Sequence, residues 1–293
     1  MSTGWTDGAV DLHVHCAPSF FPRWGDGLDV VRACEAAGLA AVLLKAHEGG
    51  TYDGAAALDR LSPTLRVRGG IVLNRYVGGL NPAAVEAAFR LGGRCVWFPT
   101  IDADAHARAF GSTGAYPAQR GGVESPSGIR VLDDAGRCVP EALEVLELAA
   151  EHDALVATGH LSAKEVAEVV RRAVAAGVHR LLVQHPCFPV PALPADELEP
   201  LVRAGAVLEL TALSVSPACT PRRSRRPRLC CSASAASTSS FRATPARRKA
   251  RRRPRRCGRS PSRFTKPACR RGSSGRRSSR RRPASSTASV VRV

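Results

Sequence analysis

Short apolar runs alternate along the first 210 residues with segments whose apolar positions recur at helical spacing. The apolar runs predict strands at residues 9–14, 39–44, 66–73, 94–98, 154–158, 180–184 and 206–210. Helices are predicted between them at residues 26–37, 52–61, 82–91, 140–151, 162–177 and 195–204. Asn81 before Pro82 and the Ser162/Glu165 capping box are helix-start signals. Residues 100–128 are expected to be irregular, and residues 129–139 to form a small hairpin.

Strands that alternate with helices favour a parallel sheet. The predicted strand ends lie roughly 24–32 residues apart, except where the irregular segment intervenes, and a (β/α)8 barrel averages ~31 residues per unit. A doubly wound open sheet would normally carry a glycine-rich turn after its first strand, where this chain carries histidines. We therefore predict an α/β fold, a TIM-like (β/α)8 barrel truncated to about seven strands.

Histidines follow the predicted strands at three places. His13 and His15 are two residues apart on the first strand and should point to the same side. His160 and His185 follow the fifth and sixth strands, so all four rings should meet at the rim where barrel active sites form. Imidazole is a preferred ligand of zinc, and an isolated His-x-His pair is otherwise more often structural. The pattern predicts a divalent metal site, best suited to zinc, with one or two ions.

Five segments carry a resemblance to the amidohydrolase superfamily, and in particular to its amidohydrolase-like family of unknown function DUF6282. They are DLHVHCAPSFFPR (Asp11–Arg23), KAHEGGTYDGA (Lys45–Ala55), VWFPTIDADAH (Val96–His106), VLELAAEHDALVATGHLS (Val145–Ser162) and LLVQHP (Leu181–Pro186). The resemblance covers about residues 5–215. It implies a TIM-like barrel with one or two divalent ions held by His13, His15, His160 and His185, and it fixes no substrate.

Further polar side chains are expected at the same rim. Lys45 and Glu48 are the predicted catalytic residues: a lysine can carry a bridging carbamate, and a carboxylate can bridge or act as a base. Arg23, Arg75 and His47 are the predicted substrate-binding residues, the arginines as anion clamps. The alternative for each is an ordinary ion pair or a hydrogen bond to a loop. His106, in the irregular segment, is a weaker candidate for the site.

These residues predict a hydrolase in which metal-activated water attacks an amide, lactone or other ester-type bond of a small molecule. The alternative is a phosphoesterase of the PHP type, which also opens with Asp-x-His-x-His and uses a seven-stranded barrel. That family places a further Asp-x-His near the end of its barrel. Here the later Asp-x-His, Asp104-Ala105-His106, lies in the middle of the chain, which ranks this alternative second.

Charge divides the chain sharply near residue 210. All 25 Asp and Glu lie at or before Glu209, whereas 25 of the 43 Lys and Arg lie from Thr211 onward. We therefore expect residues 1–213 to form an incomplete barrel and residues 214–293 to be a disordered Arg/Ser/Pro-rich tail, translated out of frame. The superfamily's strand-eight aspartate, expected near residues 235–245, is missing, so we predict impaired activity. The rival interpretation is a genuine tail that binds nucleic acid non-specifically.

The remaining expectations concern localisation and binding partners. The first residues show no secretory signal pattern, and no apolar stretch approaches the ~20 residues that span a membrane. We expect a cytoplasmic enzyme with a small-molecule substrate and no membrane partner, and a homo-oligomer is compatible with the sequence.

Overall fold

The computed structural model describes residues 6–117 and 119–211. Strands and helices alternate through them. In chain order they are β1 (Val10–Val14), α1 (Gly27–Ala36), β2 (Ala41–Leu44), α2 (Tyr52–Leu61), β3 (Arg66–Val72), a 3₁₀ turn (Arg75–Val77), α3 (Pro82–Arg90), β4 (Cys95–Trp97), α4 (Asp104–Phe110), β5 (Ala115–Tyr116), β6 (Gln119–Arg120), α5 (Pro140–Glu151), β7 (Leu155–Ala157), α6 (Ala163–Ala175), β8 (Leu181–Gln184), α7 (Ala195–Arg203) and β9 (Ala206–Glu209).

Seven of these strands form one sheet in the order β1-β2-β3-β4-β7-β8-β9, and every neighbouring pair is parallel. The sheet curls so that side chains of its first and last strands touch: His13 Nδ1 on β1 lies 3.0 Å from Glu209 Oε1 on β9. This curled half-barrel confirms the predicted truncated TIM-like barrel. β5 and β6 form a separate antiparallel pair.

Alternation along the strands divides the apolar side chains between two faces. Leu43, Val72, Trp97 and Leu182 pack together on the inner face of the curled sheet. Their strand neighbours, such as Ile71 and Val96, pack instead against the helices in the main core. This is the period of two expected of a strand covered on both faces. The inner face ends at the carboxyl ends of the strands, where polar side chains replace the apolar ones.

The predicted helix starts are present. Ser162 Oγ accepts from the N–H of Glu165, and the Glu165 carboxylate accepts in return from the N–H of Ser162 at 2.8 Å. Asn81 Oδ1 accepts from the N–H of Ala84 and Pro82 opens α3. These caps satisfy N–H groups that the first helical turn leaves without partners. The helices therefore begin where local chemistry predicts.

The segment 100–128 is more ordered than predicted. It contains α4 and the β5–β6 pair. α4 has seven residues and its N-cap, Ala103, makes no side-chain hydrogen bond, so neither periodicity nor a capping residue marks it in the sequence. The predicted small hairpin at 129–139 is present: Leu132 and Cys138 form an antiparallel bridge, the Asp133 N–H donates to the Arg137 carbonyl at 2.8 Å, and the Val139 N–H donates to the Val131 carbonyl at 3.0 Å.

Three expectations concern other parts of the chain. The boundary at residue 213, the disordered basic tail 214–293 with its nucleic-acid binding, and the missing strand eight near 235–245 all lie outside the described residues. They stay predictions. Among residues 6–117 and 119–211, no helix has the length and apolar character needed to span a bilayer.

Candidate metal centre

Four histidine rings meet at the carboxyl ends of the parallel strands. The ring centroids of His13 and His15 are 5.2 Å apart, those of His13 and His185 are 5.3 Å apart, and those of His160 and His185 are 5.2 Å apart. His13 and His15 come from β1 and its carboxyl end, His160 follows β7, and His185 follows β8. The predicted convergence of the four rings is therefore present in the fold, while their ligation of a metal stays a prediction.

A bulge in β1 aims His13 into the rim. Asp11 pairs with Val42 and Val14 with Leu44, so three steps along β1 match two along β2. Such a bulge turns one side chain away from the regular alternation. The carboxylate of Asp11 supports the irregular backbone by accepting from the N–H of His13 at 3.0 Å.

Glu209, at the end of β9, is a site residue that the sequence pattern did not reveal. Its side chain is fully buried. Burial alone would raise the pKa of this carboxyl, but its hydrogen bond with His13 and the neighbouring charge of Lys45 lower it to about 2. Glu209 is therefore ionised and accepts from His13 Nδ1–H at 3.0 Å. The seventh strand of the described sheet therefore places a buried carboxylate among the histidine rings.

The Glu209 contact determines which nitrogen of His13 is free. Because Nδ1 carries the proton, Nε2 carries the lone pair. That Nε2 lies 3.2 Å from Nε2 of His15 and 3.3 Å from Nζ of Lys45. Two bonds of ~2.1 Å to one zinc ion at a tetrahedral angle would hold two nitrogens roughly 3.4 Å apart. The spacing of the His13 and His15 nitrogens matches a shared ion.

The clustered imidazoles are neutral. Burial is the main cause that lowers the pKa of His13, His15, His160 and His185. The positive charge of Lys45 lowers all four further, whereas Glu209 opposes the shift at His13 and His185. For His185 the pKa falls to about 3. Neutral imidazole is the form that ligates a metal. At neutral pH these rings can therefore bind a metal ion without first losing a proton.

A histidine pair orients the ring of His160. His106, on α4, is fully buried, and its Nε2–H donates to the carbonyl of Ala115 at 2.7 Å. Its Nδ1 is then an acceptor for Nδ1–H of His160, 3.0 Å away. His160 Nε2 is left with a free lone pair on the opposite side of the ring. Partners of this kind fix ring orientation in metal sites. His106, the weaker candidate from the sequence, therefore acts on the centre through His160.

The backbone beside His160 and His185 is unusual. Gly159 has φ of +62°, and a Cβ there would lie 2.3 Å from the carbonyl oxygen of Phe98. His185 itself has φ of +27°, a region that residues with a side chain rarely occupy. Conformations of this cost persist where the surrounding structure enforces them, often at functional sites.

Lys45 and Gln184 form a chain of hydrogen bonds between His13 and Glu209. The Lys45 side chain is almost fully buried, and its Nζ donates to Gln184 Oε1 at 3.2 Å and lies 5.6 Å from the Trp97 ring centroid. Gln184 Nε2 donates to Glu209 Oε2 at 3.1 Å. Burial lowers the pKa of Lys45 to about 8, although Glu209 opposes the shift. The predicted catalytic lysine is therefore inside the cluster.

The predicted substrate-binding His47 also lies inside. Its ring centroid is 4.6 Å from that of His15, and its Nδ1 is 2.9 Å from Thr100 Oγ1. Asn74 joins the two by donating from Nδ2 to the His47 carbonyl at 2.9 Å and to Thr100 Oγ1 at 2.8 Å. A buried polar network of this kind holds the loop after β2 in one conformation.

Two other predicted site residues, Arg75 and Glu48, bond to loops. Arg75 donates from Nε to Asp102 at 3.0 Å and from its terminal nitrogen to Thr113 at 2.9 Å, so it holds loops together. Glu48 Oε1 accepts from the Ser19 hydroxyl and the Phe20 N–H, both at 2.7 Å. These bonds tie both residues to loops rather than to the four rings, and their substrate and catalytic roles stay predictions.

The residues present fit a divalent ion. His13, His185 and Glu209 offer ligand atoms that all lie within 4.8 Å of one another. One buried ring nitrogen, His185 Nε2, has no hydrogen-bond partner among the described residues. A buried polar atom without a partner costs free energy that a metal bond would remove. Neutral nitrogens with one carboxylate are also the donor set that zinc prefers.

The fold and its rim define a parallel α/β half-barrel protein with a cluster of imidazoles at the carboxyl ends of its strands. The chain belongs to the family of unknown function DUF6282, whose sequence profile matches residues 8–209. The predicted membership of DUF6282 is thereby confirmed.

Similarity to solved structures is distant. The probable dipeptidase PvdM of Pseudomonas aeruginosa shares 12% identity over 69% of this chain and 59% of its own, with a TM-score of 0.45. An amidohydrolase of the same organism shares 12% over 72% and 65%, with a TM-score of 0.43. Dihydropteroate synthase (FolP) of Thermus thermophilus shares 15% over 69% and 71%, with a TM-score of 0.34. The chain thus spans less than two thirds of the first two proteins. A comparison with curated proteins finds no match.

Proposed function

We propose that this chain is a metal-dependent hydrolase that cleaves an amide, lactone or other ester-type bond of a small molecule. The observation that carries the proposal is the 3.2 Å separation of the His13 and His15 Nε2 atoms inside a cluster of neutral imidazoles. His13, His15, His160 and His185 would hold a divalent ion, with zinc the best fit to nitrogen donors. Glu209 is the carboxylate that the described residues place with them, which suits one ion.

A bound ion would supply activated water at neutral pH and polarise the bond to be cleaved. The protein's own groups do the rest. Glu209 orients His13 through Nδ1, and His106 orients His160. Lys45 presents Nζ–H groups beside His13 Nε2, where they can donate to an oxygen that gains negative charge. Burial of the cluster keeps bulk water from weakening these interactions.

Glu48 is our proposal for the carboxylate that accepts a proton. Its Oε1 is engaged with Ser19 and Phe20, but its Oε2 is buried without a hydrogen-bond partner among the described residues. A carboxylate oxygen with an unused lone pair is suited to take a proton from an attacking water. Glu48 thereby differs from Glu209, whose two oxygens contact His13 and Gln184.

A PHP-type phosphoesterase is the second candidate. The observation in its favour is the seven-stranded sheet among the described residues, whose seventh strand already supplies the buried carboxylate of the rim. The two candidates differ in the bond cleaved, so a substrate panel separates them.

The test is elemental analysis of the purified full chain, followed by a panel of amides, lactones, carboxylic esters and phosphate monoesters. We expect a divalent metal near one equivalent, and loss of metal and turnover in His13→Asn and His160→Asn. The matched control is His179→Asn, which removes an exposed imidazole far from the chemistry. Equal hydrolysis by the metal-stripped chain would overturn the proposal, as would full metal retention in both site variants. Turnover confined to phosphate monoesters would favour the second candidate.

A further inference from the structure

Arg23 lies beside the imidazole cluster, in the loop between β1 and α1. Its guanidinium carbon is 5.7 Å from the ring centroid of Phe21, which is itself buried. The Phe21 ring in turn lies 5.8 Å from the ring of His47 and 5.5 Å from that of Tyr116. The positive charge of Arg23 also contributes, after burial, to the lowered pKa of His15 and His47. Arg23 is thus a cation at the edge of the proposed centre.

The bonding of Arg23 is incomplete. Its Nε is buried without a hydrogen-bond partner, and among the described residues no carboxylate lies within ion-pair distance of its guanidinium. Glu48 is the neighbouring negative charge, but one of its oxygens is held by Ser19 and Phe20. Arg75 is the contrasting case, because Asp102 and Thr113 use its donors. Burial without a partner lowers the pKa of Arg23 and costs free energy that an acceptor would recover.

The charge balance of the rim points in the same direction. Arg23 and Lys45 are cations, and Glu209, the buried carboxylate of the cluster, is bonded to His13. A divalent ion would add to this positive charge. A cleft of one sign attracts ligands of the other sign. Next to the cation, the buried ring of Phe21 packs against the partly exposed Tyr116.

We propose that the substrate of this site carries a carboxylate that Arg23 binds, with an apolar or aromatic group beside the partly exposed Tyr116. This inference rests on the proposed function, because it assigns a substrate class to the same centre. The planar guanidinium is suited to a carboxylate, which it can contact through two N–H groups. Of the two arginines that the sequence offered as anion clamps, the structure favours Arg23.

Binding of matched acid and amide probes tests the inference. The probes are three pairs of increasing length: benzoate and benzamide, N-benzoylglycine and its amide, and N-benzoyl-β-alanine and its amide. Dissociation constants are measured by titration calorimetry on the zinc-loaded full chain. In at least one pair we expect the acid to bind about tenfold or more tightly, since a hydrogen bond to a charged group contributes at least that much.

Variants assign the selectivity to one side chain. Arg23→Met should remove it, and Arg23→Lys should retain part of it, because lysine keeps the charge but not the paired donors. Arg32→Met is the control, since Arg32 is an exposed arginine on α1. The acid's preference should survive in this control.

Two results would overturn the inference. One is equal binding of acid and amide by the unaltered chain in all three pairs, a measurement that needs no variant to fold. The other is selectivity that persists in Arg23→Met, which would mean that the ion or another group holds the carboxylate. Binding is measured without turnover, so failure here is distinguishable from failure of the hydrolase proposal, which rests on metal content and cleavage.

Discussion

Replacing Gly159 with alanine should destabilise the fold by about 2–4 kcal/mol. Gly159 has φ of +62°, and a Cβ at this position would lie 2.3 Å from the carbonyl oxygen of Phe98 and 2.5 Å from that of Pro99. Both contacts are to backbone, so no side-chain rotation relieves them. Either the segment that follows β4 or the turn that carries His160 has to move.

The magnitude has two parts. A non-glycine residue in the left-handed region costs about 1–2 kcal/mol, and forcing backbone apart in a packed region costs about 1–3 kcal/mol more. Alanine recovers about 0.4–1 kcal/mol because it restricts the unfolded chain. Gly177→Ala isolates the first part. Gly177 has φ of +83°, but a Cβ at this position would meet nothing within 4 Å. The expected cost of Gly177→Ala is about 1 kcal/mol.

Urea denaturation of the full chain, followed by far-ultraviolet circular dichroism, measures the free energy of unfolding of both variants. The informative quantity is the difference between them, because the conformational cost is common to both. Gly159→Ala should be less stable than Gly177→Ala by about 1–3 kcal/mol. If the two variants agree within about 0.5 kcal/mol, the close backbone approach does not constrain this turn and the steric argument is wrong.

Three further predictions follow from the site and the core. His106→Phe should weaken zinc binding about 10–100-fold in a chelator competition, because His160 loses the acceptor that orients it; unchanged affinity would show that the hydrogen bond has no role. Lys45 has a pKa of about 8 instead of 10.5, so the folded state binds its proton more weakly than the unfolded state and stability rises with pH between these values. The stability of Lys45→Met relative to the parent chain should therefore fall by about 2–3 kcal/mol from pH 7 to pH 10, and a constant difference would contradict the assignment. Leu146→Ala should cost about 3–5 kcal/mol because the side chain is fully buried, whereas Leu61→Ala, at a position 70% exposed, should cost under about 0.5 kcal/mol in the same urea assay.

Local signals predicted much of the fold. The bounds of α2 and α5 agree with the predicted helices at 52–61 and 140–151, because apolar spacing acts within a few residues and Pro140 marks the first turn of α5. α4 escaped prediction because seven residues are too few to establish a period. The strand-end histidines were recognisable for a different reason: parallel strands bring their carboxyl ends to one rim whatever the exact register.

The contacts that complete the centre have no local signature. Glu209 meets His13 across 196 positions of sequence, and His106 meets His160 across 54. Only the curl of the sheet and the packing of α4 bring these pairs together. The available signal for Glu209 was a carboxylate at the end of β9, the otherwise apolar last strand among the described residues; a carboxylate there is buried only when paired, but the sequence does not identify its partner.

The contact between His13 and Glu209 joins β1 and β9, the two outermost described strands of the sheet. An ion that binds only when these two strands are in contact shifts the equilibrium towards the closed sheet. By mass action, each tenfold increase in free ion above its dissociation constant stabilises the closed sheet by about 1.4 kcal/mol. The melting temperature of this protein should therefore rise with the concentration of free zinc, whether or not any substrate is turned over.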